Sequence, residues 1–118
     1  MAVILVVDDD DGVRNMVSAL LVAEGHRVIT AANGAEAVAV YRSLPSRIDL
    51  VITDLDMPTM DGVQEILRIR LTNPGAKFIC MTGSSADRCP QGVALVAKPF
   101  VIGEFLACVK ERLAAPHL

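Results

Sequence analysis

Val3-Ile4-Leu5-Val6-Val7 runs for five residues without a polar side chain and then breaks on four consecutive aspartates, Asp8 to Asp11. A β-branched run with no polar alternation suits a strand buried on both faces, and such strands belong to parallel sheets covered by helices. The pattern recurs down the chain. Ile48 to Thr53, Phe78 to Met81 and Val93 to Ala97 are apolar runs that end on Asp54, on Thr82-Gly83 and on Lys98-Pro99-Phe100. A more polar run, His26 to Ala31, suits an edge strand.

Between these runs, apolar residues recur at helical spacing. Val13, Met16, Val17, Leu20 and Leu21 follow the aspartates; Ala37, Val40, Tyr41 and Leu44 follow Asn33; Val63, Ile66 and Leu67 follow Asp61. Ile102, Phe105, Leu106, Val109 and Leu113 make a last amphipathic face. Asp10 or Asp11, Asn33 with Glu36, and Asp61 with Gln64 stand where helix caps belong. Gly25, Pro45 and Asn73-Pro74-Gly75 supply the stops.

Five strands alternating with four helices predict an α/β fold, a flavodoxin-like doubly wound parallel sheet in the order 2-1-3-4-5. The 118 residues suit a single domain spanning 1–118, and 53 % hydrophobic with only 3 % aromatic residues means a core of Val, Leu, Ile and Ala. The connection from Ser84 to Gly92 is lean, because Pro90 and Gly92 leave room for about one turn. The fourth helix of a regular βα repeat is therefore expected to be short or missing. A net charge of −3 without a basic block argues against direct nucleic-acid binding. Cys80, Cys89 and Cys108 have no framework spacing and read as reduced thiols. The apolar start lacks a basic flank and reads as a strand, so a cytoplasmic protein without a membrane span is expected.

In the predicted topology, ligands bind outside the carboxyl ends of the strands, between the first and third. One rim then collects Asp8 and Asp9, Asp54, Thr82 and Lys98. Three carboxylates that close repel one another and raise each other's pKa unless cations offset them. Lys98 supplies one positive charge, and Mg²⁺, a hard ion that takes carboxylates, waters and phosphate oxygens, suits the remainder. Asp54, at a strand end ahead of an irregular loop, is placed to act as a nucleophile toward phosphorus. Plainer readings exist for each residue alone: a solvated helix cap for Asp8 to Asp11, a surface lysine for Lys98, a turn residue for Thr82. Met57 and Met60 read as packing residues, and His26 and His117 as exposed or structural.

Taken together, Val6-Val7-Asp8-Asp9-Asp10 with Arg14, Asp54-Leu55-Asp56-Met57-Pro58-Thr59-Met60-Asp61-Gly62, Met81-Thr82-Gly83 and Lys98-Pro99-Phe100 resemble the response-regulator receiver domains of two-component phosphorelays. The resemblance covers essentially the whole chain. It implies Asp54 as phosphoacceptor, with Asp9 a direct Mg²⁺ ligand, Asp8 a ligand through water and the Asp56 backbone carbonyl a third. It implies that Thr82 and Lys98 contact phosphoryl oxygens, and that the Lys98-Pro99 bond is cis. Side chains at Asp56 and Ser84 would modulate hydrolysis of the acyl phosphate. The implied partners are a sensor histidine kinase or histidine phosphotransferase upstream, and a protein target or fused output domain downstream. The implied role is a switch, not a turnover enzyme.

Two features depart from the family pattern. Leu95 stands where an aromatic or hydroxyl residue usually precedes the lysine by three, and the segment from Thr82 to Lys98 is short. Partner binding is therefore expected on the first helix, the last helix or the strand-to-helix loops. Two other readings compete: a pseudo-receiver that works without phosphate, and a haloacid-dehalogenase-like phosphatase suggested by Asp54-Leu55-Asp56. The phosphatase pattern places its acidic pair after the lysine, whereas Asp8 and Asp9 precede it.

Overall fold

A computed structural model describes residues 2–44, 47–57, 62–83 and 89–115. Strands β1 (Val3–Val7), β2 (Arg27–Ala31), β3 (Leu50–Asp54), β4 (Phe78–Thr82) and β5 (Ala94–Ala97) alternate with helices α1 (Asp11–Ala23), α2 (Gly34–Ser43), α3 (Gly62–Thr72) and α4 (Ile102–Ala114). All strand pairs are parallel and the order is β2-β1-β3-β4-β5, as the alternation predicts. Among the described residues no helix lies between β4 and β5. None is long and apolar enough to cross a membrane. Ser84, Asp61, Met60 and His117 lie outside the described residues.

Alternation along each central strand divides the core in two. Leu5, Val7, Val51, Phe78 and Cys80 face α2 and α3, together with Ala37, Tyr41, Ile66 and Ile69. Ile4, Val6, Ile52, Ile79 and Met81 face α1 and α4, together with Val17, Leu21, Phe105 and Val109. Each large side chain so buried contributes about 1.5–3 kcal/mol. Phe105 also packs on Phe100, ring centroids 4.9 Å apart.

The caps follow the sequence. Asp10 accepts from the Val13 amide and Asn33 from the Glu36 amide. Gly25, with φ +91°, turns the chain out of α1 in a conformation that favours glycine.

Three apolar assignments change. Met16 is 44 % exposed, Leu67 53 % and Ile102 50 %, although all three were expected on apolar helix faces. The buried stripe of α3 is Gly62, Glu65, Ile66 and Ile69, a face rotated by one residue from the expected one. On α4 the phase is held by Phe105 and Val109, which leaves Ile102 at the surface beside Val101.

The first described residues and the end of α4 are tied to the amino edge of the sheet. The Val3 amide donates to Asp49 Oδ2 at 2.8 Å and the Ala2 amide to His26 Nδ1 at 3.2 Å. Lys77, just before β4, donates through Nζ to the Leu113 carbonyl at 3.1 Å.

Candidate functional site

The parallel register brings the carboxyl ends of four strands level: Val7 pairs with Thr53, Asp54 with Met81 and Thr82 with Ala97. Backbone bonds extend the ladder past the strands. The Asp8 amide donates to the Ala31 carbonyl, that of Leu55 to Met81, and that of Lys98 to Thr82 at 2.8 Å. The reactive side chains thus start from fixed backbone, as a preorganised site requires.

Carboxylate oxygens of Asp8, Asp9 and Asp54 lie within 4.8 Å of one another. Asp8 and Asp54 are buried, and Asp9 is exposed to solvent. Lys98 Nζ donates to Asp54 Oδ2 at 2.9 Å and to Asp8 Oδ2 at 3.3 Å. The other oxygens are held by backbone: Asp54 Oδ1 accepts from the Asp56 amide and Asp8 Oδ1 from the Asp10 amide, both at 2.9 Å. The Lys98-Pro99 bond is cis, as the resemblance implies.

Burial pushes the Asp8 carboxyl above its usual range. The Asp10 amide and the Lys98 charge oppose that rise, while the Asp54 charge adds to it. Mutual repulsion is thus real but secondary to burial. Lys98 is raised as well: burial acts to lower it, and the hydrogen bond and charge of Asp54, followed by those of Asp8, outweigh burial. Its ammonium is therefore firmly protonated at neutral pH. Three carboxylates facing one touching ammonium leave an excess of hard oxygen donors, a set that fits Mg²⁺ or a similar divalent ion.

Thr82 sits on the same rim, its hydroxyl donating to Asp56 Oδ2 at 2.8 Å. The Asp56 side chain was expected only to flank the site, yet it holds the Thr82 hydroxyl. Leu95 is exposed on the edge strand β5, directly beside Cys80.

Three contributors were given no role by the sequence: Arg14 and Gly62, which belong to the matching motifs, and Glu65. Arg14 supports the acidic loop from below, donating to the Asp8 carbonyl at 2.8 Å and pairing with Asp11. Glu65 is fully buried on α3, where its Oε1 accepts from the Thr53 hydroxyl at 2.6 Å, one residue before Asp54. The helical stripe through Gly62, Ile66 and Ile69 contained the signal for Glu65, because positions three and four apart share a face.

Gly62 is the third. A Cβ on Gly62 would lie 2.4 Å from the Asp54 carbonyl oxygen and 2.9 Å from Leu55 Cα. Both are backbone atoms that cannot swing aside. Gly62→Ala is expected to cost about 1–3 kcal/mol through overpacking, read as a lower urea midpoint; an unchanged midpoint would show that the strand end can yield.

Lys98, Pro99, Phe100 and Ile102, with Val13 and Met16 of α1, line an apolar groove of about 500 Å³ beside the acidic rim. An open parallel sheet with a carboxylate cluster, a lysine and a hydroxyl at its switch point defines a class: phosphate-handling proteins that work through aspartate and a hard metal ion.

Comparisons with known proteins give the family. The response regulator receiver domain family matches residues 4–108. The chain belongs to that family, the phosphoacceptor domains of two-component signalling. Sensor kinase CckA of Brucella abortus is 33 % identical over 118 residues, 95 % of this chain but only 12 % of the kinase. Sporulation initiation phosphotransferase F of Bacillus subtilis is 33 % identical over 116 residues, covering 93 % of this chain and 92 % of that protein. Among solved structures, a response regulator receiver domain protein from Clostridium thermocellum superposes with TM-score 0.90 at 26 % identity, covering 96 % of this chain and 94 % of that one. The receiver domain of sensor histidine kinase PA1611 from Pseudomonas aeruginosa, with a magnesium ion in its active-site cleft, gives TM-score 0.87 at 27 % identity, covering 97 % and 98 %.

Proposed function

We propose that this receiver domain, spanning residues 1–118, accepts a phosphoryl group on Asp54 from a phosphohistidine of a sensor kinase or histidine phosphotransferase. The observation that carries the reading is the contact of Asp54 Oδ2 with Lys98 Nζ at 2.9 Å, inside a cluster shared with Asp8 and Asp9. Asp54 attacks phosphorus in line, the P–N bond breaks, and the imidazole keeps the bonding pair. Little covalent work remains for the protein beyond positioning and charge stabilisation. The Asp56 amide fixes one Asp54 oxygen, which presents the carboxylate in a single orientation. Lys98 is poised to move from the carboxylate to a phosphoryl oxygen.

Asp8, Asp9, Asp54 and the Asp56 carbonyl would hold Mg²⁺, which supplies positive charge for the phosphoryl oxygens when bound. Release of the Thr82 hydroxyl from Asp56 toward the phosphoryl group gives the two-state element that a downstream protein target or fused output domain reads. The groove between α1 and Phe100 suits the partner bearing the phosphohistidine, because it is apolar and opens next to Lys98. The domain acts as a cytoplasmic switch with slow self-dephosphorylation, not as a turnover enzyme.

Acetyl phosphate with Mg²⁺ is expected to add one phosphoryl group, located at residue 54 by peptide mapping. Beryllofluoride is expected to shift amide resonances around Thr82, and Asp54→Asn to abolish both effects. A protein indifferent to both reagents would be a pseudo-receiver.

A further inference from the structure

At the amino edge of the sheet, across the molecule from the acidic rim, three cations line a recess of about 220 Å³. Arg70 comes from the last turn of α3, Lys77 from the residue before β4, and Arg112 from the last turn of α4. All three are half-buried, and none of the residues lining the recess is acidic.

Each cation is held by a neutral oxygen. Arg70 Nη2 donates to the Gln91 carbonyl at 2.9 Å, Arg112 Nη2 to the Gly92 carbonyl at 3.4 Å, and Lys77 Nζ to the Leu113 carbonyl at 3.1 Å. The Arg70 guanidinium also lies over the Phe78 ring, 5.6 Å from its centroid, which fixes it further. Among the described residues no carboxylate pairs with any of the three; the ion pairs there join Arg14 to Asp11 and Lys98 to Asp8 and Asp54. Basic side chains in a last turn ordinarily offset the helix dipole, and each helix end brings about half a negative charge. Two helix ends set against three cations leave about two positive charges unmatched. Arg112 Nε is buried without a hydrogen-bond partner among the described residues. A buried N–H left unbonded is costly, and a bound acceptor removes that cost.

We propose that Arg70, Lys77 and Arg112 form a binding site for a diphosphate, a small anion with two linked phosphoryl groups. Guanidinium forks take phosphate oxygens in pairs, and a lysine beside them adds a point charge. A lone carboxylate would meet only half of the unmatched charge. The recess is smaller than the roughly 300–1,000 Å³ that encloses a drug-sized ligand, so the diphosphate group itself lies inside. Gly92, at φ +81°, keeps the space beside Arg70 open: a Cβ there would stand 3.6 Å from Arg70 Nη2. The bound anion joins the ends of α3 and α4 to the chain entering β5, and it stabilises the fold by binding only the folded state. This site stands apart from Asp54 and holds whether or not that residue is phosphorylated.

The test titrates the full chain with sodium pyrophosphate in buffer containing EDTA and no Mg²⁺, which leaves the acidic rim no metal ion to hold phosphate. Calorimetry is expected to show one saturable site. Amide resonances of Lys77, Gly92 and Arg112 should shift, while those of Asp8, Asp9 and Asp54 stay in place. Arg70→Gln and Arg112→Gln should each weaken binding about tenfold or more, the loss of a charged donor. Arg27→Gln removes the same charge from the exposed strand β2 at the other edge of the sheet, and should change affinity less than about twofold. Urea midpoints without ligand check that the variants fold; if Arg112→Gln does not, Arg70→Gln decides the matter.

Inorganic phosphate should bind about tenfold or more weaker than pyrophosphate. Adenosine diphosphate separates two sources of the group: affinity equal to that of pyrophosphate assigns a nucleotide, a large loss assigns the free ion, and both keep the site. Equal affinity for phosphate and pyrophosphate would overturn the diphosphate assignment. No saturable binding, equal weakening by Arg27→Gln, or shifts centred on the acidic rim would overturn the site.

Discussion

Lys98→Met is expected to slow phosphorylation of Asp54 by acetyl phosphate about 100-fold or more, the usual loss when one preorganised donor to developing charge is removed. Methionine keeps an apolar stem of similar reach and deletes only the ammonium. That ammonium touches both buried carboxylates, Asp54 at 2.9 Å and Asp8 at 3.3 Å. Its loss leaves two buried acids facing each other. Breaking such a pair costs about 3–5 kcal/mol in a closed interior. Lys98 is 25 % exposed, so the lower end of that range or less is expected here. Added Mg²⁺ should therefore recover more stability in the variant than in the parent. Single-turnover phosphorylation and urea unfolding with and without Mg²⁺ provide the measurements. A variant phosphorylated at the parent rate would remove Lys98 from the mechanism.

The second large effect is predicted at Glu65. Burial pushes its carboxyl up to about 8, with the Thr53 hydroxyl opposing the rise, against an ordinary value of 4.5. Below the ordinary value both folded and unfolded chains carry the proton, and the group adds no pH dependence to stability. As pH rises from 4.5 toward 8 the unfolded chain ionises while the folded one must keep its proton. The unfolded state then binds fewer protons, so stability falls with pH by up to about 1.4 kcal/mol per unit. Across that window the loss from this one group is on the order of a few kcal/mol, and it levels off above pH 8.

Glu65→Gln should flatten this slope. Glu65→Leu should also raise the urea midpoint at pH 8, because it removes an acid whose Oε2 is buried without a partner among the described residues. In the parent the Thr53 hydroxyl also lies 3.3 Å from the Asp54 carbonyl oxygen, a second acceptor within reach. Equal pH slopes for parent and Glu65→Gln would show that Glu65 does not titrate in this window.

The same residue shows where sequence reading stops. The strand ends were legible, because β-branched runs without alternation admit only a doubly covered parallel sheet, and that topology gathers Asp8, Asp54, Thr82 and Lys98 by itself. The phase of α3 was legible only in part, because helical spacing admits the stripe through Gly62, Glu65, Ile66 and Ile69 and also the adjacent one through Val63, Ile66 and Leu67. Choosing Val63, Ile66 and Leu67 as the inward face assumed that a glutamate points to water, whereas Gly62 must lie against the Asp54 carbonyl and that close approach turns Glu65 into the core. The bond from Thr82 to Asp56 was equally hidden, since no spacing rule says which of two acids in a loop a hydroxyl across the rim will choose.

The anchoring of Ala2, Val3 and Leu113 at the amino edge of the sheet sets how the domain can be moored. The backbone at Ala2, Val3 and Leu113 therefore sits at the base of the molecule, about one strand length away from the acidic mouth. Whatever is fastened there stands clear of the opposite rim, where Asp8, Asp54 and Lys98 meet.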